Sequence, residues 1–402
     1  MAVPRLRFKG VKGNWDRKKL NVLFDKITTK NILGKCDNVI SNSAQYGLVS
    51  QRNFFLKDIA NAENTSNYYV IEHDDFVYNP RKSKEAPYGP FNRYMCKDTG
   101  IVSPLYTCLR RKSLDNLDFL MFYFKSGMWH RYMYSNGNTG VRHDRVSVTD
   151  DILMKLPVSL PHIDEQQKIA DFLTTFDKRI AVQQNIIADL EETKKGLLQK
   201  IFSQEIRFKD DNGQEFPSWE KKKIKDLGEI VTGNTPSTNI KDYYENGDIL
   251  WVTPSDINDE MYIFNTERKL TNLGIKKARF LPKGSVLITC IASIGKMTIL
   301  GEDGSCNQQI NAIIPSNDND SIFILSMMRT LVPVMFIYAG KTATPILNKE
   351  TFSRIKCCVP CLEEQQKIAA FLSTFDKKIT AEKQILSDLK EIKKGLLQQM
   401  FV

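Results

Sequence analysis

The decapeptide Asp164 to Leu173, DEQQKIADFL, returns almost unchanged as EEQQKIAAFL from Glu363 to Leu372. The match runs without a gap from Pro161 to Phe202 against Pro360 to Phe401, and well over half of the paired residues are identical. Near its end, Lys194-Lys195-Gly196-Leu197-Leu198-Gln199 recurs as Lys393-Lys394-Gly395-Leu396-Leu397-Gln398. An internal repeat of this length constrains a fold before any composition does. Both copies are heptad patterns. In the first, Ile169, Leu173, Phe176, Ile180, Ile187, Leu190 and Leu197 alternate in steps of three and four, interrupted by the polar Gln183 and Lys194. The second keeps the register with Ile368, Leu372, Phe375, Ile379, Leu386, Leu389 and Leu396, interrupted by Glu382 and Lys393. Such a stripe is the seam of a coiled coil. Each copy starts after a proline with acidic residues in its first turn, which suits the helix dipole. About 38 residues at 1.5 Å each predict a rod of about 57 Å. Two copies in one chain satisfy each other's apolar stripes, so an intramolecular antiparallel pair is expected.

The repeat partitions the chain into a body over residues 1–160, a helix over 161–203, a second body over 204–359 and a second helix over 360–402. The bodies share an outline. Arg7-Phe8-Lys9 followed by Trp15 corresponds to Arg207-Phe208-Lys209 followed by Trp219. An apolar helix over Leu117 to Tyr134 precedes the loop Asn136 to Gly140, and its counterpart Ile322 to Tyr338 precedes Ala339 to Thr344. Short β-rich stretches such as Tyr68 to Val77, Ile249 to Thr253 and Ser285 to Thr289 alternate with Gly, Pro and Asn turns. The fold class expected is mixed α/β (α+β): two globular bodies with twisted sheets and two long helices, related by a pseudo-twofold repeat. The four tryptophans are expected in cores.

Catalytic and metal motifs are not found. No GxxxxGK[ST] loop or GxGxxG turn is present, and Asn79-Pro80 is followed by Arg81-Lys82 where an amino-methyltransferase places an aromatic residue. The four histidines and the Cys358-Val-Pro-Cys361 pair lack metal-ligand spacing. The eight cysteines form no framework and are read as reduced thiols of a cytoplasmic protein. Glu191 and Lys194 lie on a coiled-coil helix, where solvated charge is expected. The charged N-terminus has no apolar stretch behind it, so no secretory signal is expected, and Ile322 to Tyr338, interrupted by Arg329, reads as a core helix and not a membrane span.

A net charge of +10 points to an anionic partner. In the first body Asn79, Arg81, Lys82, Ser83, Tyr88 and Arg93 mix forked donors, amides and aromatics, and the glycine-bearing loop adds Asn138, Thr139 and Arg142. In the second, Asn234, Thr235 and Ser237 lie in Thr232-Gly-Asn-Thr-Pro-Ser237, and Lys341, Thr342 and Thr344 follow Gly340. Arginine pairs with guanine, asparagine with adenine, and lysine or serine with phosphate. These residues are the candidate DNA contacts. A scaffold that binds only protein through its coiled coil is the rival reading.

With these residues in view, the chain resembles the specificity subunit of type I restriction-modification systems over essentially its whole length. The two Pro...Glu-Gln-Gln-Lys-Ile helices resemble that family's central and C-terminal conserved regions. Thr232 to Ser237, Asp248-Ile-Leu-Trp-Val252, Leu281-Pro-Lys-Gly-Ser-Val-Leu-Ile288 and Asn307-Gln-Gln-Ile-Asn-Ala-Ile-Ile-Pro315 resemble its target-recognition domain. Phe76-Val-Tyr-Asn79 and Gly100-Ile-Val-Ser-Pro-Leu-Tyr106 are similar to another version of it. The resemblance implies a noncatalytic subunit whose two target-recognition domains read a bipartite, asymmetric site on double-stranded DNA. It further implies two partner modification subunits that methylate adenine with S-adenosylmethionine, and restriction subunits that use ATP and Mg. Cofactors would belong to those partners, none to this chain, and no membrane partner is implied. The first body lacks the Thr-Gly-x-Thr-Pro-Ser loop, and Asn234 stands where a lysine is frequent.

Overall fold

A computed structural model describes residues 3–54, 65–137, 144–258, 260–340 and 345–402. It divides into two compact units, residues 1–184 with 385–402, and residues 185–384. Each unit combines one globular body with the start of one long helix and the end of the other. The long helices are Ile163–Phe202 and Leu362–Gln399.

In the first unit the central sheet has four antiparallel strands, in the order Phe24–Lys26, Thr107–Arg111, Phe76–Tyr78 and Phe91–Arg93. Strand side chains alternate between faces. Phe76, Tyr78 and Leu109 therefore enter one core while Val77 and Cys108 enter another on the opposite face. Both faces are buried at Phe76–Tyr78, which is why that strand reads as an unbroken apolar run, while the ends of its neighbours are polar. The expected strand over Tyr68 to Val77 is two strands, Tyr69–Ile71 and Phe76–Tyr78, because Asp74 between them has φ 75° and turns the chain. The expected helix over Leu117 to Tyr134 is likewise two, Leu117–Ser126 and His130–Asn136. Gly127 ends the first in the left-handed conformation at φ 77°.

The second unit repeats the plan with a five-stranded sheet, in the order Gly228–Thr232, Ile310–Pro315, Val286–Thr289, Met297–Leu300 and Tyr262–Ile263. Val286, Ile288, Ile299 and Ile313 face one core; Leu287, Leu300 and Ala312 face a second. Helix Ser321–Ala339 covers the first of these faces with Phe323, Ile324, Leu325, Met327 and Met328. It is the one helix among the described residues long and apolar enough to cross a membrane. Strands Lys269–Leu270, Ile249–Val252 and Gly304–Cys306 form a smaller sheet. The tryptophans Trp15, Trp129, Trp219 and Trp251 are all buried.

The repeated Glu-Gln-Gln has a structural use in both units. Glu165 accepts two hydrogen bonds from Arg7, each 2.7 Å, and Glu364 accepts from Arg207 at 2.9 and 2.8 Å and from the Trp219 indole at 3.1 Å. The next residue, Gln166 or Gln365, accepts from the backbone N–H of Asn116 or Asp320. Asn116 and Asp320 are the N-caps of the apolar helices Leu117–Ser126 and Ser321–Ala339. One short motif thus ties the start of each long helix to the start of its own body and to its apolar helix.

Within each unit the two long helices run antiparallel. In the first, the backbone N–H of Leu6 donates to the Gln399 carbonyl, and Lys393 bonds Asp177. In the second, Lys194 bonds Asp376, and Lys383 bonds Glu191 at 2.7 Å. Every apolar seam residue is buried or half-buried, from Ile169, Leu173, Phe176, Ile180, Ile187, Leu190 and Leu197 to Ile368, Leu372, Phe375, Ile379, Leu386, Leu389 and Leu396. Lys194 departs from the expectation of a solvated charge: it is only 8% exposed, buried in the seam with its ammonium bonded to Asp376.

Candidate nucleic-acid interface

In the first unit the segment from Asn79 to Arg93 begins at the end of strand Phe76–Tyr78 and returns as strand Phe91–Arg93. Gly89 makes this return possible: its φ is 84°, and a Cβ there would lie 2.0 Å from the Asn79 carbonyl oxygen. Asn79 is buried. Its amide donates to the Asn42 carbonyl at 3.1 Å and accepts from the Arg81 N–H at 3.0 Å, so it closes an Asx turn. Arg93 is also internal, held by Asp74 at 2.9 Å and Asp118 at 2.7 Å with its side chain 10% exposed. Tyr88 packs its ring 4.9 Å from that of His130, whose protonated form is disfavoured by burial. The Ser83 hydroxyl accepts from the Ala86 N–H and holds a tight turn.

Arg81 is different, with 67% of its side chain exposed. It pairs across an antiparallel bridge with Arg145, flanked by the backbone bonds Lys82 N–H to Asp144 carbonyl and Val146 N–H to Pro80 carbonyl. Lys82, half-buried, continues this ribbon. Arg145 lines a cleft of about 600 Å³ together with Tyr69, Leu105, Tyr106 and the Lys26–Asp150 pair. Neither Arg145 nor the tyrosines were singled out from the sequence, since the bridge joins segments remote along the chain and no periodicity records it. Asn138, Thr139 and Arg142 lie outside the described residues.

In the second unit the loop after strand Gly228–Thr232 is fixed from several sides. Gly233 lies so close to the neighbouring strand end that a Cβ would meet the Cys306 carbonyl oxygen at 2.2 Å. The Asn234 amide donates to the Lys277 carbonyl and accepts from the Arg279 N–H, both at 2.8 Å, while its own carbonyl accepts from the Trp251 indole at 3.2 Å. The Arg279 guanidinium donates to the Thr232 carbonyl at 2.5 Å. Asn234 therefore joins two loops. Thr235 donates to Gln308 at 2.5 Å, and both are exposed, as are Ser237, Lys276, Lys277 and Arg279. A cleft of about 460 Å³ bordered by Trp251, Ser255, Glu267, Arg268 and Gln309 adjoins them. Asp256 organises its wall by accepting from the backbone N–H groups of Thr253 and Glu267. Lys276, Lys277, Arg279 and Gln308 were not among the sequence candidates; the fold bonds Gln308 to Thr235 and the backbones of Lys277 and Arg279 to Asn234. Lys341, Thr342 and Thr344 lie outside the described residues.

Both units thus present exposed cations and hydroxyls on loops pinned by hydrogen bonds, and the second adds the exposed amide of Gln308. Among the described residues no group of three or more His, Cys, Asp or Glu side chains is placed to hold a metal ion. The arrangement suits contact with a polyanion and its base edges.

Comparison with known proteins gives concordant results. The family described as "Type I restriction modification DNA specificity domain" matches twice, over residues 12–192 and 217–391. The MjaIX specificity subunit of Methanocaldococcus jannaschii is 35% identical over 50% of this chain and 48% of its own length. The HindI specificity subunit of Haemophilus influenzae is 29% identical over 43% of this chain and 39% of its own length. The chain therefore spans about half or less of the length of these two relatives. Among solved structures, a chain described under complex assembly and conformational transition of the type I restriction-modification system superposes with a TM-score of 0.61 at 15% identity, covering 97% of this chain and 98% of that one. The type I system S subunit of M. genitalium gives 0.53 at 16% identity over 100% and 99%. With the family's domain matched in both halves, on a shared fold, the chain belongs to the type I restriction-modification DNA specificity family.

Proposed function

We propose that this chain is the DNA-specificity subunit of a type I restriction-modification complex. It reads a bipartite, asymmetric sequence on double-stranded DNA, one half through each globular body, 1–160 and 204–359, and performs no chemistry itself. The spacer helices 161–203 and 360–402 set the distance between the half-sites. Two modification subunits dock on the chain and methylate adenine, and restriction subunits join them. S-adenosylmethionine, ATP and Mg belong to those partners. The observation that carries this reading is the duplicated family domain, with a cation-bearing loop cluster in each copy. Divergence between the two clusters supports an asymmetric target: an arginine-bearing ribbon serves the first body and a pinned Thr-Gly-Asn-Thr-Pro loop the second.

The test is single-molecule mapping of methylated adenine in cells that hold the partner modification subunit, with and without this chain. A bipartite asymmetric motif appearing only with the chain is the expected result. If both proteins are folded and associated yet no motif appears, the reading falls, and direct DNA-binding assays separate a degenerate reader from a protein scaffold.

A further inference from the structure

The bridge between Arg81 and Arg145 sets the two arginines opposite one another on one face of a two-stranded ribbon. The flanking backbone bonds make 81 and 145 a non-hydrogen-bonded pair, the geometry that brings opposed side chains closest. Like charges directly opposite one another destabilise an antiparallel pair. One carboxylate is shared between them: Asp144 lies 3.8 Å from Arg81 Nε and 3.6 Å from Arg145 Nε, beyond hydrogen-bond reach of either. The pair keeps a net positive charge and two donor forks with 67% and 28% of the side chains exposed. Beside it the 600 Å³ cleft offers the rings of Tyr69 and Tyr106 and the exposed Leu105; among the described residues that line it the one carboxylate, Asp150, bonds Lys26.

We propose that Arg81 and Arg145 together clasp a single backbone phosphate of duplex DNA, anchoring the first body in register without reading a base. This rests on the reading that the chain binds DNA. Phosphate oxygens accept from two arginine forks at once and cancel the repulsion that the ribbon otherwise retains. Arg145 becomes a positioning residue of the complex, and Arg81 acts jointly with it and not as an independent reader of guanine.

The experiment uses the full chain assembled with its modification partner. Affinity is measured across a series of salt concentrations on a duplex carrying the mapped motif and on a scrambled duplex. Arg81→Gln and Arg145→Gln should each weaken both duplexes by about tenfold and reduce the salt slope by about one. Because one phosphate is shared, the double variant should lose little more than either single one, with the methylated motif unchanged. Arg81→Lys and Arg145→Lys, which keep charge but not the fork, should retain the slope and lose part of the affinity; they also answer for any glutamine variant with a lowered melting temperature. Unchanged affinity in all variants, a drop of two in the slope of the double variant, or a changed motif in a single variant would each overturn the clasp. These outcomes differ from a failure of the functional reading, in which the unaltered complex itself shows no motif.

Discussion

Lys194 and Lys393 occupy the same place in the two repeats and have repeat-equivalent partners, Asp376 for the first and Asp177 for the second. Each is a charge inside an apolar seam. Burial pushes the Lys194 ammonium below its ordinary pKa, against the opposing effect of its bond to Asp376. Lys393 also lies 5.2 Å from the Phe122 ring, a cation–π contact. Removing one member of such a pair leaves the other desolvated, so Asp376→Ala should cost about 3 kcal/mol, whereas Lys194→Met with Asp376→Leu should be near neutral. Urea unfolding of the single and double variants measures both; equal losses would show that the pair is solvated in solution. Heptad arithmetic located these lysines as interruptions of the stripe, but their partners lie on the other helix. No local pattern announces that pairing. Arg93 and Asn79 show the same limit from the opposite side. Both residue types suit DNA, and both are consumed internally by Asp74 and Asp118 or by Asn42. Composition identifies donors, and only the packed structure shows which of them remain free.

The long helices were legible almost to the residue, because a repeat with a sustained three-four alternation has few alternatives. Expected starts after Pro161 and Pro360 correspond to the observed Ile163–Phe202 and Leu362–Gln399. Less legible was where their ends go. The last residues leave the seam: Met400 and Phe401 are 2% exposed in the aromatic core of the first unit, where the Phe401 ring lies 5.2 Å from Phe119 and 6.2 Å from Trp15. Their repeat counterparts Ile201 and Phe202 pack in the second unit, with Phe202 5.5 Å from Phe323. Phe401→Ala should therefore destabilise the first unit by about 3–5 kcal/mol, as truncation of a buried phenylalanine does. Hydrogen exchange followed by peptide should show protection lost across Leu117–Ser126 and retained across Val286–Thr289. Uniform loss in both would mean that the units unfold as one. The short elements were harder to read. The single expected helix over Leu117 to Tyr134 is broken at Gly127, whose left-handed φ overrides a continuous apolar pattern, and the sheet strands are only two to six residues long.

At the scale of the whole chain the duplicated helices carry the proposed ruler. Each is a single helix of 40 or 38 residues, so at 1.5 Å per residue a heptad is worth about 10 Å of length, close to three steps of a duplex at about 3.4 Å each. A clean test must shorten both helices and keep the face that each presents. Deleting Gln184 to Leu190 together with Lys383 to Leu389 removes one heptad from each copy. It keeps Asp177 and Lys194 in the first helix, and Asp376 and Lys393 in the second, so both Lys–Asp pairs that fix the antiparallel register survive. If the helices set the spacing, the methylated motif should keep both half-sites and change the number of unread base pairs between them. Retained half-sites are the essential control, because they show that both bodies still read. An unchanged spacing in an assembled complex would remove the helices from that role, and the distance would then have to be set by the modification subunits.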